Sequence, residues 1–506
     1  MAIKRYYANA DNTITNAYKE DFNTRGTGSN MGQADILEVF SLYAQRDSGS
    51  AELSRVLVQF PVADITSDRN NSVIPASGNV NFFLKLYNAE HTRTLPRDFR
   101  LTVNAVSGAW QEGVGLDMEN YTDLTYNKIG SNWINRSGST AWSTTGADFY
   151  TDSSSSFEQR FEVGTEDLEI DVTTLIEQWI NSGGNVLGSK DNHGFLIKLA
   201  SNLEASSSTN LNGAVKSYYT KKLFARSSEF FFKRPKIEAR WDSSTRDNRG
   251  NFFFSSSLLP AKDNLNTLLL YNYYKNMLRD VGGLTTAIPV LNLYYGSGSV
   301  PEGASRHFRN SSNTAVNFLS ASRVSRGVYS VEFSATSSIV TSTYPYLFDV
   351  WTLSGSQVHT GSAIEPKTHK LSNFNPHKKY VLSMPSLKKY YCNDKTERFR
   401  LFVREKDWSP NIFTKATLKI PTLQIESASY QIKRLIDNEI VIPFGTSSTN
   451  HTLMSYDSEG NYFDLDLSML ESGYTYTIGY TFYEDSIGSY VEQPYTFNLR
   501  VDKDEY

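Results

Sequence analysis

Asp464 and Asp466 stand two residues apart in a stretch that alternates apolar and polar side chains. In a strand that spacing puts both carboxylates on one face, close enough to share a proton or a cation. Paired acids facing a sugar are the machinery of polysaccharide hydrolysis. The simpler reading is a solvated face, because Tyr462, Phe463, Leu465 or Leu467 occupy the inner side. Asp117, Glu119 and Asp123, near Tyr121, have the ligand type of a calcium loop but not the spacing of a calcium motif. The seven histidines form no H-E-x-x-H or H-x-x-x-H pair, and His193, beside a Gly-Phe strand, reads as a turn residue. No strand-to-helix junction offers a G-x-S-x-G elbow, Gly296-Ser297-Gly298-Ser299 is a flexible loop by composition, and no Gly-rich phosphate cradle ends in Lys-Ser or Lys-Thr. No catalytic residue, metal ligand or cofactor is assigned, and the chain is not expected to be an enzyme.

Aromatic side chains offer a second kind of chemistry, the stacking of sugars or of partner proteins. Trp110, Trp133, Trp142 and Trp179 fall in the first half of the chain. Trp179 sits on an apolar helical stripe and reads as core. Trp133 and Trp142 lie in a polar Ser/Gly/Asn-rich stretch and are the candidate glycan or partner contacts. Further on, Phe252, Phe253, Phe254, Leu269, Tyr273 and Tyr274 form a dense patch that would either cap the next core or serve as a chain-to-chain interface.

The elements that position these residues are mostly strands. The chain has 506 residues, of which 39% are hydrophobic, 13% aromatic with 31 Tyr and 29 Phe, and only 21% charged. Tyr and Phe suit the pleated, half-buried surface of a sheet, while Ser, Thr and Asn supply turns. At roughly 100–200 residues per domain the length implies about three or four domains. A net charge of −4 gives no field strong enough for a phosphate backbone, so nucleic acid is not expected as a partner. The pairs Lys221-Lys222 and Lys388-Lys389 read as solvated faces. One cysteine, Cys392, excludes an intrachain disulfide. The amino-terminal run MAIKRYYANADNT has no apolar core of a signal peptide, and no apolar run is long enough to cross a bilayer, so synthesis in a cytoplasm without membrane insertion is expected.

Residues 1–242 alternate in short runs such as Val56-Leu57-Val58-Gln59-Phe60 and Val80-Asn81-Phe82-Phe83-Leu84-Lys85-Leu86. Within them Val172, Leu175, Ile176 and Trp179 follow i, i+3, i+4, i+7 and predict a short helix stopped by Gly183-Gly184. The polar run from Ser243 to Gly250 marks a boundary, and Asn264 through Leu278 reads as a helix of about three turns in an aromatic linker over 243–284. Two immunoglobulin-like sandwiches are expected beyond it, over 285–372 and 373–506. In the second, Tyr474, four residues after Leu470, resembles the tyrosine corner of such folds.

Six landmarks in residues 1–242 follow one another in the order of the DNRLRE family, a jelly-roll module related to carbohydrate-binding domains. They are Ala10-Asp11-Asn12-Thr13-Ile14, then Met31-Gly32 before a strand with Leu37 and Val39, then Ser54-Arg55-Val56-Leu57-Val58-Gln59-Phe60. Trp110-Gln111-Glu112-Gly113, the helix IDVTTLIEQWINSG and the strand DNHGFLIKL complete the order. A long insert from Met118 to about Phe161 departs from the family pattern. The resemblance implies an N-terminal jelly-roll-like β-sandwich whose ligand surface the insert would cover or rebuild. The C-terminal stretch IESASYQIKRLIDNEIVIPFG through LESGYTYTIGYTF is similar in manner to structural proteins of contractile-tailed marine phages. It implies a virion component of the tail, baseplate or neck, assembling with other virion proteins and copies of itself. A glycan-binding or receptor-binding adhesin is the alternative, with host-surface polysaccharide as partner.

Overall fold

Alternation in Val56-Leu57-Val58-Gln59-Phe60 sends Val56, Val58 and Phe60 to one face of a strand and Leu57 to the other. In the computed structural model both faces of that strand are covered. Residues 2–46, 50–91, 96–116, 129–181, 185–204, 217–368, 378–417 and 422–503 are described. The chain is mostly β and divides into two units, one of Ala2–Asp242 with the loop Ser447–His451, the other of the chain from Ser243 without that loop.

The first unit contains β1 (Ile3–Tyr7), β2 (Ala10–Thr15), β3 (Ile36–Tyr43), β4 (Ala51–Gln59), α1 (Val62–Asn70), β5 (Asn81–Leu86), β6 (Phe99–Ala105), β7 (Asn135–Ser137) and β8 (Thr140–Ala141). These are followed by β9 (Ser156–Phe161), β10 (Leu168–Asp171), α2 (Thr173–Ile180), β11 (Phe195–Leu199), β12 (Ser217–Phe224) and β13 (Lys236–Arg240). Two antiparallel sheets, β1-β13-β5-β10 and β12-β3-β4-β11-β6-β9, enclose the main core; β2 adds to β4. Val56, Val58, Phe82, Leu84, Leu86, Val103, Phe195 and Ile197 fill that core from both sheets.

The expected helix forms as α2. Leu175, Ile176 and Trp179 enter the core, Asp171 Oδ1 accepts the Thr173 N–H at 2.9 Å to start the turn, and Asn181, with φ 47°, ends it in the left-handed region. Gly183-Gly184 lie outside the described residues. α1 was not legible in the sequence, since little beyond Val62 and Ile65 marks its apolar face. Its last turn carries Arg69, which meets Glu177 of α2 at 2.7 Å with both side chains buried.

The second unit holds two immunoglobulin-like sandwiches. In the first, the sheet 266–271/328–333/322–325 packs on the sheet 302–306/290–296/346–353/356–360 around Leu270, Leu291, Leu293, Tyr329, Phe333 and Trp351. In the second, 380–383/396–405/460–466/455–457 faces 390–392/497–502/474–484/428–434/440–442. Phe399, Leu401, Phe463, Tyr476, Ile478, Tyr480 and Leu499 are buried there. Its tyrosine corner is made by Tyr476, whose hydroxyl donates to the Glu471 carbonyl at 2.7 Å. The expected Tyr474 shares that face but sits at the rim, under the Arg434 guanidinium.

The segment 243–284 is neither linker nor long helix. Asn266–Tyr271 is a strand paired with Val328–Phe333, and the helical turns among the described residues are short 3-10 ones at Asn248–Gly250, Ala261–Asn264 and Val281–Gly283. Long-range pairing overrides the helical spacing, because Leu268 and Leu270 reach the core only if the backbone is extended. Before it, Ser243–Asn251 acts as a strap: Thr245 and Asp247 bond to the backbone of Tyr456, while Arg249 grips Asp349 at 2.7 and 2.6 Å. Asp349 also accepts Trp351 Nε1–H at 2.7 Å and is fully buried. The expected boundary between 372 and 373 lies outside the described residues.

Removing one partner of a buried, bidentate pair leaves the other charge without compensation. Asp349→Ala is therefore expected to cost about 3–5 kcal/mol in chemical denaturation. A loss of less than about 1 kcal/mol would mean that the Arg249 strap is not a structural joint.

Candidate functional site

Trp133 and Trp142 are not a platform. They are 7% and 5% exposed, and with Ile14, Leu57, Val106, Ala147 and Leu196 they form a second apolar cluster on the outer face of the larger sheet. Trp142 Nε1–H donates to the Asn132 carbonyl at 2.9 Å. The Arg55 guanidinium lies 5.2 Å from the Trp133 ring centre, bonds to Glu204 through two nitrogens and donates to the Gly146 carbonyl. At Gly146, with φ +88°, a Cβ would stand 2.9 Å from the Trp133 ring. The insert is polar in composition because its chain turns often; its two large rings face inward.

The family-like landmarks carry structural duties. Trp110 Nε1–H donates to the His193 carbonyl at 2.8 Å, which places His193 in the loop before β11. Glu112 holds Arg226 through two bonds of 2.7 and 2.6 Å and accepts the Asp11 N–H at 2.8 Å. A Cβ on Gly113 would meet Asn30 Oδ1 at 2.0 Å, so only glycine lets this loop approach. Asp11 is buried beside Glu112, with one oxygen accepting the Arg226 N–H and Oδ1 without a partner among the described residues. Burial, opposed by the Arg226 backbone bond and reinforced by Glu112, lifts its carboxyl to about 7.

Asp464 and Asp466 do point outward together, but each is engaged. Arg398 pairs with Asp464 through bonds of 2.8 and 3.0 Å, and Asp466 Oδ1 accepts the Ser468 N–H at 3.0 Å. Asp117, Glu119, Tyr121 and Asp123 lie outside the described residues. Lys221 is not on a solvated face: it is fully buried, and its ammonium donates to Asn88 Oδ1 and to the carbonyls of Gly164 and Glu166. Lys388 is exposed, and Lys389 lies against the Tyr390 ring.

The aromatic patch divides. Phe252, Phe254 and Leu269 are buried inside the second unit, with Phe252 and Phe254 packed in the core of its first sandwich and Phe253 half-buried, so the first three are unavailable as a surface. Tyr273 and Tyr274 instead form a two-residue strand paired with Met277-Leu278. The connecting Lys275 and Asn276 have φ of 50° and 61°, the left-handed geometry of a tight hairpin turn. Tyr273 is 60%, Tyr274 54% and Met277 69% exposed, and Lys275 and Arg279 lie over the Tyr274 ring. Met277 completes this surface and carried no signal of its own in the sequence.

No family model matches the chain, and no curated protein matches it. Among solved structures it is similar to the fibronectin(III)-like modules of Clostridium thermocellum CbhA, at 10% identity over 52% of this chain and 92% of that one, with a TM-score of 0.14. The titin domains Z1Z2 in complex with telethonin match 48% of this chain and 89% of theirs at 10% identity and a TM-score of 0.13. The native conformation of E. coli alpha-2-macroglobulin matches 93% and 20% at 8% identity and a TM-score of 0.15. The sandwiches are defined by the strand order and buried cores of the chain itself.

Two outcomes follow from these placements. Trp133→Ala is expected to destabilise the first unit by about 3–5 kcal/mol in thermal or chemical unfolding, a loss of packing and not of a ligand. Asp11 is raised above its unfolded value of about 3.9, so the folded state holds its proton more tightly, and stability falls as pH rises from about 4 to 7. Asp11→Asn should therefore raise stability at pH 8 by roughly 2–4 kcal/mol, with the gain vanishing near pH 4. A difference that stays constant with pH would contradict the placement of this carboxyl.

Proposed function

We propose that this chain is a structural component of a tailed-phage virion, of the tail, baseplate or neck, and that it works by protein–protein assembly without catalysis. The observation that carries the reading is the hairpin Tyr273–Leu278, which holds two tyrosines and a methionine in solvent on a rigid turn. Exposed aromatic and Met side chains beside arginine are the composition of interface centres. The packing of the described residues leaves more than half of each exposed, so their natural cover is another polypeptide. The particle context is supported by the manner of the C-terminal sequence, and a DNRLRE-like first unit by the order of its landmarks. Burial of Trp133 and Trp142 removes the surface on which a sugar-binding reading rested.

A Tyr274→Asp, Met277→Lys variant tests the proposal, since both positions are exposed and the fold should survive. Wild-type protein is expected to self-associate in light scattering or to enter particles, and the variant to lose both while its circular dichroism is unchanged. A strictly monomeric wild type, together with normal incorporation of the variant into particles, would sink the idea.

A further inference from the structure

Lys221 lies on β12, the edge strand of the larger sheet, and Asn88 follows β5 of the smaller one. They are 133 positions apart, and Lys221 Nζ is 2.7 Å from Asn88 Oδ1. A single backbone bridge, Asn88 to Leu223, holds the two segments in register. Lys221 is fully buried, with Nζ 4.8 Å from the centre of the Phe161 ring, so water does not separate amine from carboxamide. Two carboxylates act on the amine electrostatically, those of Glu166 and Asp167. Glu166 is occupied by the N–H groups of Glu162, Val163 and Gly164, whereas Asp167 is held next to Asn88 by accepting its backbone N–H at 2.8 Å.

We propose that Lys221 and Asn88 form an intramolecular amide cross-link, with Asp167 as the proton carrier, that fastens the two sheets of the first unit to each other. Lys221 Nζ, as the neutral amine, attacks Asn88 Cγ and forms the new C–N bond. The proton it gives up passes to Asp167 and then to the departing nitrogen. The Cγ–Nδ2 bond breaks and one molecule of ammonia leaves, so the step requires no oxidant, reductant or cofactor. Burial, opposed by Glu166 and Asp167, brings the lysine down to about 8, which makes the neutral amine accessible near neutral pH. A bond across 133 positions would restrict the unfolded chain as a disulfide does, in a protein whose one cysteine has no partner in the chain.

Mass spectrometry of the full-length chain decides this. The intact protein is expected to be lighter than its sequence by one ammonia. A tryptic digest is expected to yield a branched peptide containing Asn88 and Lys221, uncut after Lys221. Lys221→Arg and Asn88→Ala should restore the full mass, and Asp167→Asn, which keeps both partners, should leave most chains unlinked. A wild-type chain of full sequence mass, cleaved after Lys221 even after prolonged incubation at about pH 9, where the amine is neutral, overturns the proposal.

Discussion

A sheet covered on both faces has no water to solvate a charge, so every ion that enters must be met where it stands. Arg5 and Arg240 meet Glu238, Arg69 meets Glu177, Arg249 meets Asp349, and Lys221 meets three oxygens. At Glu238 burial works to raise the carboxyl, yet Arg5, Lys85 and Arg240 outweigh it and hold the group well below the usual range. The bidentate arginine pairs fix angle as well as distance, since a planar guanidinium fork fits a carboxylate in few orientations. They connect elements far apart in sequence, and helices, strap and sheets take their places accordingly.

The same constraint explains why Asp464, which looked available for chemistry, is not, and it governs Glu112 and Asp349 as well. Asp464, Glu112 and Asp349 each lie against an arginine, and in Glu112 and Asp349 the pairing also orders neighbouring backbone or indole groups. A carboxylate gripped through two nitrogens of an arginine is a poor proton shuttle. In Asp11 and Asp247 burial exceeds compensation, and the carboxyl rises.

What could be read from residues alone was whatever depends on local period. The apolar stripe of α2 and the alternation of β4 and β11 hold because each buried face follows from spacing within a few residues. What could not be read depends on partners distant in sequence. Asn264–Leu278 has helical spacing, but its partner strand, Val328–Phe333, lies some sixty residues on. Trp133 and Trp142 looked exposed because the residues around them are polar, and only the fold reveals Arg55 and Leu57 beneath them. Lys221 beside Lys222 looked like a solvated pair; the strand's alternation turns one inward, and nothing local says which. Tyr474 and Tyr476 share a face, and which one reaches Glu471 depends on where the core ends.

An exposed aromatic hairpin is open to unwanted pairing. Flat, apolar edges invite indiscriminate pairing. Here the paired strands are two residues each, too short to template a sheet, and the turn at Lys275-Asn276 twists them sharply. Lys275 and Arg279 stand over Tyr274, so any surface covering that ring must also satisfy cations. An apolar surface alone would have to desolvate them without return, whereas one that presents acids around an apolar centre gains both contacts. On the proposed reading, the charges beside its rings make the hairpin selective for a partner that carries the complementary sign.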